Sequence, residues 1–287
     1  MTEIQKKVLL LHGMCSSSNV FGPSKGPGLI KLLSPDFDLF SGKLRVYETC
    51  PNSPALDFDE ILEVDIPEIW IKARQYFAGN IHGKQSSEEN PAVLGYSMGG
   101  ILALLATARG IIKPSRLMIL GSPFTFMNMP FYPAIMKTAL KIAEVFPLKR
   151  IPVRLGGRIL FWYLFYFSRT RRKNAMLVFH ALLRAAGSDI PIETLSQAYK
   201  WIQKGFICNR TGCMNYLEEL SAVNIPVMFV AGERDIIASP ASVKAGYERI
   251  SSSQKEFIVI PDTSHLELVA GDKLYETAKI ANRWFSK

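Results

Sequence analysis

Pro91-Ala92-Val93-Leu94-Gly95-Tyr96-Ser97-Met98-Gly99-Gly100-Ile101-Leu102-Ala103-Leu104-Leu105-Ala106 is the stretch on which the reading of this chain turns. Its front half is a short apolar run of the kind that forms a buried strand, and its back half is an apolar, Ala-rich helix. Between them, Gly95-x-Ser97-x-Gly99 predicts a strand-to-helix turn so tight that its central residue takes a strained backbone conformation. Glycines two positions before and after remove the side chains that would collide there. Such a turn holds a serine hydroxyl off the end of a sheet, at the positive end of a helix dipole. The five-residue pattern also occurs in ordinary turns. Its place between a strand and a helix gives it weight, and the rest of the chain has to supply its partners.

Working outward, Lys7-Val8-Leu9-Leu10-Leu11 predicts a first core strand. It runs into His12-Gly13-Met14-Cys15-Ser16-Ser17-Ser18, either an ordinary β-to-α turn or, read beside the Ser97 turn, a loop whose backbone N–H groups face that serine. Arg45 to Glu48 predicts a second strand. Asp57 to Phe77 predicts a helix, with Ile66, Ile69, Trp70, Ala73 and Phe77 at helical spacing and Pro67 near the start, where its missing N–H is harmless. Arg116 to Leu120 predicts a further strand, ending in Gly121-Ser122-Pro123. After Pro123 the strand signals vanish and helical periodicity takes over, at Pro133 to Phe146, Gly157 to Phe167, Lys173 to Ala186 and Pro191 to Lys204. Pro147, Pro152, Gly156-Gly157 and Gly187-Ser188-Asp189 punctuate these segments. Alternation resumes with a strand at Pro226 to Ala231, a helix at Ser239 to Arg249, a strand at Phe257 to Ile260 and a closing helix from Asp272. The pattern predicts an α/β fold, a mostly parallel sheet of about six strands flanked by helices and interrupted by an inserted all-helical cap. The core would comprise residues 1–122 and 210–287, and the cap residues 123–209.

Composition is globular: of 287 residues, 48% are hydrophobic and 21% charged, which excludes a disordered chain. The first strand starts too early for a signal peptide to precede it. The best apolar run, Ile159 to Phe167, is too short to span a bilayer. Four cysteines without a secretory signal lead us to expect reduced thiols and a cytoplasmic protein, in peripheral contact with a membrane at most. Cys208 and Cys213 lack a second pair and a nearby His, so no metal is expected, and no organic cofactor either. Net charge is +9, and between Pro123 and Gly205 there are 13 Lys and Arg against Glu144, Asp189 and Glu193. The remainder of the chain holds 21 basic and 22 acidic residues, so the positive charge belongs to the inserted segment.

Ser97 needs a base. Of the four histidines, His12 lies in the loop after the first strand, His82 in a polar loop and His180 within a cap helix. Only His265 follows the last core strand, in Val259-Ile260-Pro261-Asp262-Thr263-Ser264-His265, which brings it to the carboxyl edge of the sheet where the Ser97 turn points. The acid that orients it should leave the preceding strand, and Phe229-Val230-Ala231-Gly232-Glu233-Arg234-Asp235 offers Asp235 ahead of Glu233, with Asp262 third. Three residues in the order Ser, Asp, His, each after its own strand, form the constellation of acyl-transfer chemistry.

These residues resemble the α/β-hydrolase superfamily, specifically its serine esterase and lipase-like members with a helical cap. The matching pieces are Leu11-His12-Gly13, Gly95-Tyr96-Ser97-Met98-Gly99-Gly100, Gly232-x-x-Asp235 with Pro240, and His265, spanning the sheet-forming two-thirds of the chain. The resemblance implies Ser97 as nucleophile, His265 as general base and then acid, Asp235 as its orienter, and an oxyanion hole from the backbone N–H groups of Met14 and Met98. It also implies substrate contacts at His12, Gly13 and Tyr96. Two departures stand out: there is no room for the family's first two strands, and Cys50-Pro51-Asn52-Ser53-Pro54 replaces the Gly-rich loop many members carry. A serine nucleophile argues against the carboxylate-dependent dehalogenase and epoxide hydrolase branches.

The cap carries the aromatic run Ile159-Leu160-Phe161-Trp162-Tyr163-Leu164-Phe165-Tyr166-Phe167, followed by Arg169-Thr170-Arg171-Arg172-Lys173. A helix apolar on nearly all faces must be hidden in protein or lipid. Either it is a buried cap helix with a solvated basic turn, or Phe161, Trp162 and Phe165 line an acyl-chain pocket while Arg169, Arg171, Arg172 and Lys173 meet anionic headgroups. The latter expects a small-molecule or lipid-like acyl ester as substrate. No nucleic-acid reading motif accompanies the basic cluster. A thioesterase or acyltransferase on the same three residues, a non-catalytic ligand-binding fold, and a proline-type peptidase are the other readings. The peptidase usually wants acids in the cap, and this cap has three.

Overall fold

Six short strands, the inner ones largely apolar and the two at the edges only in part, form one parallel sheet. The structure is a computed structural model that describes residues 5–22, 28–45, 56–79, 90–126, 132–152 and 187–287. Its strands are β1 (Lys6–Leu11), β2 (Phe37–Gly42), β3 (Ala92–Tyr96), β4 (Leu117–Leu120), β5 (Arg150–Ile151), β6 (Ile190–Pro191), β7 (Val227–Gly232) and β8 (Lys255–Ile260). The helices are α1 (Leu29–Leu33), α2 (Phe58–Glu60), α3 (Ile66–Gly79), α4 (Met98–Ala108), α5 (Tyr132–Val145), α6 (Ile192–Lys204), α7 (Tyr216–Glu219), α8 (Pro240–Arg249) and α9 (Leu274–Ser286).

The sheet order is β2-β1-β3-β4-β7-β8, with every neighbouring pair parallel. From β1 the chain first moves outward to β2, then returns to pair β3 on the other side of β1. The direction of winding therefore switches between β1 and β3, and a crevice opens beyond the carboxyl ends of those two strands. Leu11 stands opposite Gly95 at that edge, so the His12-Gly13 loop and Ser97 leave the sheet side by side.

Alternating side chains build both halves of the core. Leu9, Val93, Ile119 and Phe229 pack with α3, α4 and α6 on one face, while Val8, Leu94, Met118 and Val230 pack with α1 and α9 on the other. α9 is amphipathic, burying Leu274, Ala278, Ala281 and Trp284. Its Trp284 indole donates to the Leu117 carbonyl at 2.9 Å.

Three expectations are corrected. The second strand in the chain, expected at Arg45 to Glu48, is Phe37–Gly42, in register with β1 from Lys6 opposite Phe37 to Leu11 opposite Gly42. As an edge strand it carries Asp38 and Ser41 among Leu39 and Phe40, which weakened its apolar signal; Arg45 lies beyond its end, and residues 46–48 lie outside the described residues. The helix expected from Asp57 to Phe77 is α2 and α3 joined by a π-helical turn, Ile61–Asp65. Asp65 at the end of that turn is almost fully buried. It accepts from the Arg45 backbone N–H at 2.9 Å and from Arg45 Nε at 2.6 Å, and burial raises its carboxyl above the usual range despite that guanidinium.

The inserted segment is not purely helical, since β5 and β6 pair antiparallel within it. Nor does it separate cleanly from the core, because α6 belongs to the main core cluster through Ala198 and Trp201. Gln197 stitches α6 down: its side-chain oxygen accepts from Phe58 N–H at 3.0 Å and its amide donates to Asp59 at 2.7 Å and to the Cys208 carbonyl at 3.0 Å. Helical periodicity at Pro133 to Phe146 and Pro191 to Lys204 is observed as α5 and α6. The helices expected at Gly157 to Phe167 and Lys173 to Ala186 lie outside the described residues.

Candidate active site

Ser97 sits between β3 and α4 with φ 55° and ψ −124°, a combination that costs a non-glycine residue on the order of 1–3 kcal/mol and persists only where its surroundings fix it. Those surroundings leave no latitude. A methyl group on Gly99 would lie 2.3 Å from the Leu11 carbonyl oxygen, and one on Gly95 would lie 2.5 Å from the Gly100 Cα. The Ser97 N–H donates to the Leu120 carbonyl at 2.8 Å, tying the turn to β4.

Around this hydroxyl the structure gathers residues from far along the chain. Ser97 Oγ is 3.1 Å from His265 Nε2. His265 Nδ1 is 2.7 Å from Asp235 Oδ2. The other oxygen of Asp235 accepts the N–H groups of Ile237 at 2.8 Å and Ala238 at 2.7 Å, which fixes the carboxylate plane. Of the other acids near these strand ends, Glu233 Oε2 accepts from the Asp262 N–H at 2.8 Å and the Asp262 carboxylate pairs with Arg234. His265 Nδ1 hydrogen bonds to the carboxylate, and its Nε2 is thereby left to accept from the serine hydroxyl.

The loop after β1 closes the other side. Gly13 runs so near the nucleophile that a methyl group there would lie 2.7 Å from Ser97 Cβ and 3.2 Å from Ser97 Oγ. Met14 follows it, and Met98 opens α4 immediately after Ser97, so both expected oxyanion donors belong to segments adjoining the hydroxyl. His12 is a correction to the expected substrate contacts: it is completely buried, with Nδ1 at 3.0 Å from the Gly13 carbonyl and Nε2 accepting from Leu44 N–H at 3.4 Å. Its ring braces the loop from beneath.

Tyr96 is likewise structural. It points into the α1 and α9 face of the core, packs its ring 5.0 Å from the imidazole of His265 and donates its hydroxyl to the His265 carbonyl at 3.1 Å. Burial, reinforced by the negative charge of Asp235, holds its phenol well above the usual range, so it keeps the proton it donates. Phe161, Trp162, Phe165, Arg169, Arg171, Arg172 and Lys173 lie outside the described residues.

Gly121, read in the sequence only as the end of a strand, also belongs to the site. Its φ is +56°, and a side chain there would lie 3.4 Å from His265 Nδ1, 3.5 Å from Asp235 Oδ2 and 2.7 Å from Leu268. A glycine directly after the strand that neighbours the Ser97 strand was the available signal. The inserted segment touches the site through Ser188, whose N–H donates to the Cys15 carbonyl at 3.0 Å. Ile190 and Leu195 form an apolar cluster with Met14, Met136 and Leu140 over the same loop.

A separate groove of about 460 Å³ lies at the far end of α4, lined by Asp59, Glu63, Arg109, Tyr216 and Glu219 among others. There Arg109 makes two hydrogen bonds to Glu219, at 2.7 and 3.1 Å, and lies over the Tyr216 ring. It is a packed ionic network remote from Ser97. Among the described residues there is no group of His, Cys, Asp and Glu arranged to hold a metal ion.

The parallel sheet, its switch point and the strained serine turn are those of an α/β hydrolase. A family model described as serine aminopeptidase, S33, matches residues 72–272, and the chain belongs to that family. No curated protein matches the sequence. Among solved structures, a soluble variant of monoglyceride lipase from Saccharomyces cerevisiae in complex with a substrate analogue aligns with TM-score 0.68 at 17% identity, over 99% of this chain and 87% of that one. A thermophilic esterase from Thermogutta terrifontis aligns with TM-score 0.65 at 18% identity, over 99% and 91%. The monoacylglycerol lipase of Paleococcus ferrophilus aligns with TM-score 0.59 at 14% identity, over 97% and 93%. At these identities the likeness is one of fold, and the fold is one that carboxylic ester hydrolases use.

Proposed function

We propose that the protein is a serine hydrolase that cleaves carboxylic esters with a fairly apolar acyl chain by way of an acyl-enzyme. The observation that carries this reading is the contiguous array from Ser97 Oγ through the His265 imidazole to Asp235, at 3.1 and 2.7 Å, on a strained turn. In the first step His265 Nε2 takes the hydroxyl proton as Ser97 Oγ bonds to the ester carbonyl carbon. The Asp235 carboxylate holds the imidazole tautomer and stabilises the imidazolium that forms. The N–H groups of Met98 and Met14 receive the developing oxyanion, each contributing about 3 kcal/mol to the transition state. The imidazolium then passes its proton to the leaving alcohol. Water, deprotonated by His265, releases the acid and restores Ser97.

The apolar cluster over the oxyanion loop supports an apolar acyl chain. Contact with an anionic membrane is supported by the exposed end of the cap. Val145 and Phe146 are 73% and 66% exposed, with Ile142 and Leu148 beside them. Lys137, Lys141 and Lys149 are exposed around this patch against the single acid Glu144. Each lysine near an anionic bilayer contributes about 1 kcal/mol, and Arg169, Arg171, Arg172 and Lys173 extend the same basic segment in sequence. No described helix is long and apolar enough to cross a membrane.

The family description favours a second reading, hydrolysis of a peptide bond at a free amino terminus. Recognition of an ammonium calls for acids near the site, whereas residues 123–205 hold three acids against 13 Lys and Arg, so we place ester hydrolysis first. The test is turnover of p-nitrophenyl acyl esters of rising chain length, and of aminoacyl p-nitroanilides, by wild type and Ser97→Ala. Ester turnover that rises with chain length and vanishes in the mutant is expected. Anilide turnover without ester turnover would establish the peptidase, thioester turnover alone would move the function to thioesters, and failure of a fluorophosphonate to label Ser97 would leave only a binding fold. Unchanged co-sedimentation with phosphatidylserine and phosphatidylcholine vesicles, in wild type and Phe146→Asp alike, would remove the membrane contact.

A further inference from the structure

The imidazole of His265 is oriented by Asp235, while Glu233, Arg234 and Asp262 tie together the two turns that carry this pair. Backbone bonds cross first: Glu233 N–H donates to the Ile260 carbonyl at 3.0 Å and Arg234 N–H to the Thr263 carbonyl at 2.9 Å. Side chains then cross: Glu233 Oε2 accepts from Asp262 N–H at 2.8 Å, and Arg234 Nη1 lies 2.5 Å from Asp262 Oδ1. The turns are pressed so close that a methyl group on Gly232 would lie 2.4 Å from the Thr263 carbonyl oxygen. Asp262 itself has φ +54°, a conformation that Asp and Asn tolerate better than other side chains. Within its own turn Asp235 is already fixed by the Ile237 and Ala238 N–H groups. What remains adjustable is the placement of the His265 turn against it.

We propose that Arg234 and Asp262, with Glu233, form a positioning clamp that sets the distance and angle at which His265 Nδ1 meets Asp235. The inference deepens the proposed function and rests on its assignment of Ser97, His265 and Asp235 as the reacting groups. The three clamp residues touch neither substrate nor the reacting atoms. The ion pair is partly exposed, with side chains 41% and 38% accessible, so it contributes little to global stability. Its leverage is geometric, because each partner lies within three residues of a group whose orientation limits the rate. The clamp works from the outer side of the His265 turn, and the Tyr96 hydroxyl on the His265 carbonyl works from beneath it.

The test uses the full chain carrying Arg234→Met, Asp262→Asn, both together, and Arg234→Lys. Asparagine keeps the backbone N–H and the tolerance of positive φ while losing the charge. Two quantities are read in each variant: kcat and KM on a p-nitrophenyl ester, and the downfield proton resonance of the imidazole N–H hydrogen-bonded to Asp235. Arg234→Met and Asp262→Asn should each lower kcat by about tenfold with KM within about twofold. The double variant should be no slower than the slower single, and Arg234→Lys should recover most of the rate. The imidazole proton should shift or broaden in the Met and Asn variants and stay in place in the Lys variant. A kcat within twofold of wild type with the resonance unmoved overturns the clamp. So do losses that add fully in the double variant, or losses equal to the drop in folded fraction. Ester turnover that survives in Ser97→Ala would remove the serine mechanism instead, and the imidazole resonance would still decide the clamp.

Discussion

Gly13→Ala tests the placement of the oxyanion loop. The added methyl would stand 2.7 Å from Ser97 Cβ, 3.2 Å from Ser97 Oγ and 3.2 Å from the Tyr96 carbonyl oxygen. Carbon atoms make comfortable contact at about 3.5–4.0 Å, so the loop or the serine must retreat by roughly 1 Å. The serine turn cannot retreat, because Gly95 and Gly99 hold it against the backbones of α4 and β1. The loop therefore moves, and the Met14 N–H withdraws from the oxyanion position. Loss of one such donor costs about 10²–10³ in kcat, or ~3–4 kcal/mol. The substitution leaves the sheet intact, so thermal unfolding should change far less than activity. The assay is kcat and KM on a p-nitrophenyl ester alongside a melting curve. A variant whose kcat stays within threefold of wild type would refute the reasoning that this loop abuts the nucleophile and carries an oxyanion donor. Gly99→Ala supplies the contrast. Its methyl would meet the Leu11 and His12 carbonyl oxygens at 2.3 and 2.5 Å, so folded protein should be lost along with activity.

Asp235→Asn should lower kcat by about 10⁴-fold with little change in melting temperature, because an amide cannot hold the imidazole in the tautomer that accepts the serine proton; kinetics and circular dichroism together check it. Gln197→Ala should destabilise the fold by about 2–3 kcal/mol, since it leaves the buried Phe58 N–H without its acceptor; thermal unfolding should fall by roughly 5 °C. Burial pushes the Cys15 thiol up to about 12, above its ordinary value near 9, so the folded chain retains a proton that the unfolded chain gives up. That contribution to stability is complete below pH 9 and is lost as pH rises toward 12, which urea titrations across that range should reveal as a falling midpoint. For the same reason iodoacetamide at pH 8 should modify the exposed Cys213 well before Cys15, as peptide mass mapping would show.

Local chemistry made the site legible in the sequence where one segment carried the whole signal. The β3–α4 stretch announced itself because the turn needs small residues at 95 and 99 whatever the rest of the chain does. β1 and β7 were readable because strands buried on both faces are largely apolar, and β8, although an edge strand, because Phe257 to Ile260 is an unbroken apolar run. β2 was misplaced because an edge strand is only half covered, so Asp38 and Ser41 are tolerated there. The π-helical turn before α3 left no trace in periodicity, and the contact of its Asp65 with Arg45, twenty residues away, has no local pattern either. Tyr96 was expected against substrate because it adjoins Ser97 in sequence, and His12 because it opens the loop after the first strand. In the fold, side-chain alternation and packing turn both inward.

The sequence by itself determined the class of fold, the serine turn and the order of Ser97, Asp235 and His265, because each depends on residue type and on strand–helix succession alone. Only the tertiary structure decided that Asp235, not Glu233 or Asp262, meets His265. Only it showed that α6 is rooted in the core and that Gly13 and Gly121 make room for the site. Those outcomes depend on contacts between segments far apart in sequence, Asp235 and His265 being 30 residues apart and Phe58 and Gln197 139 apart, and parallel strand pairing sets such distances where no local pattern records them.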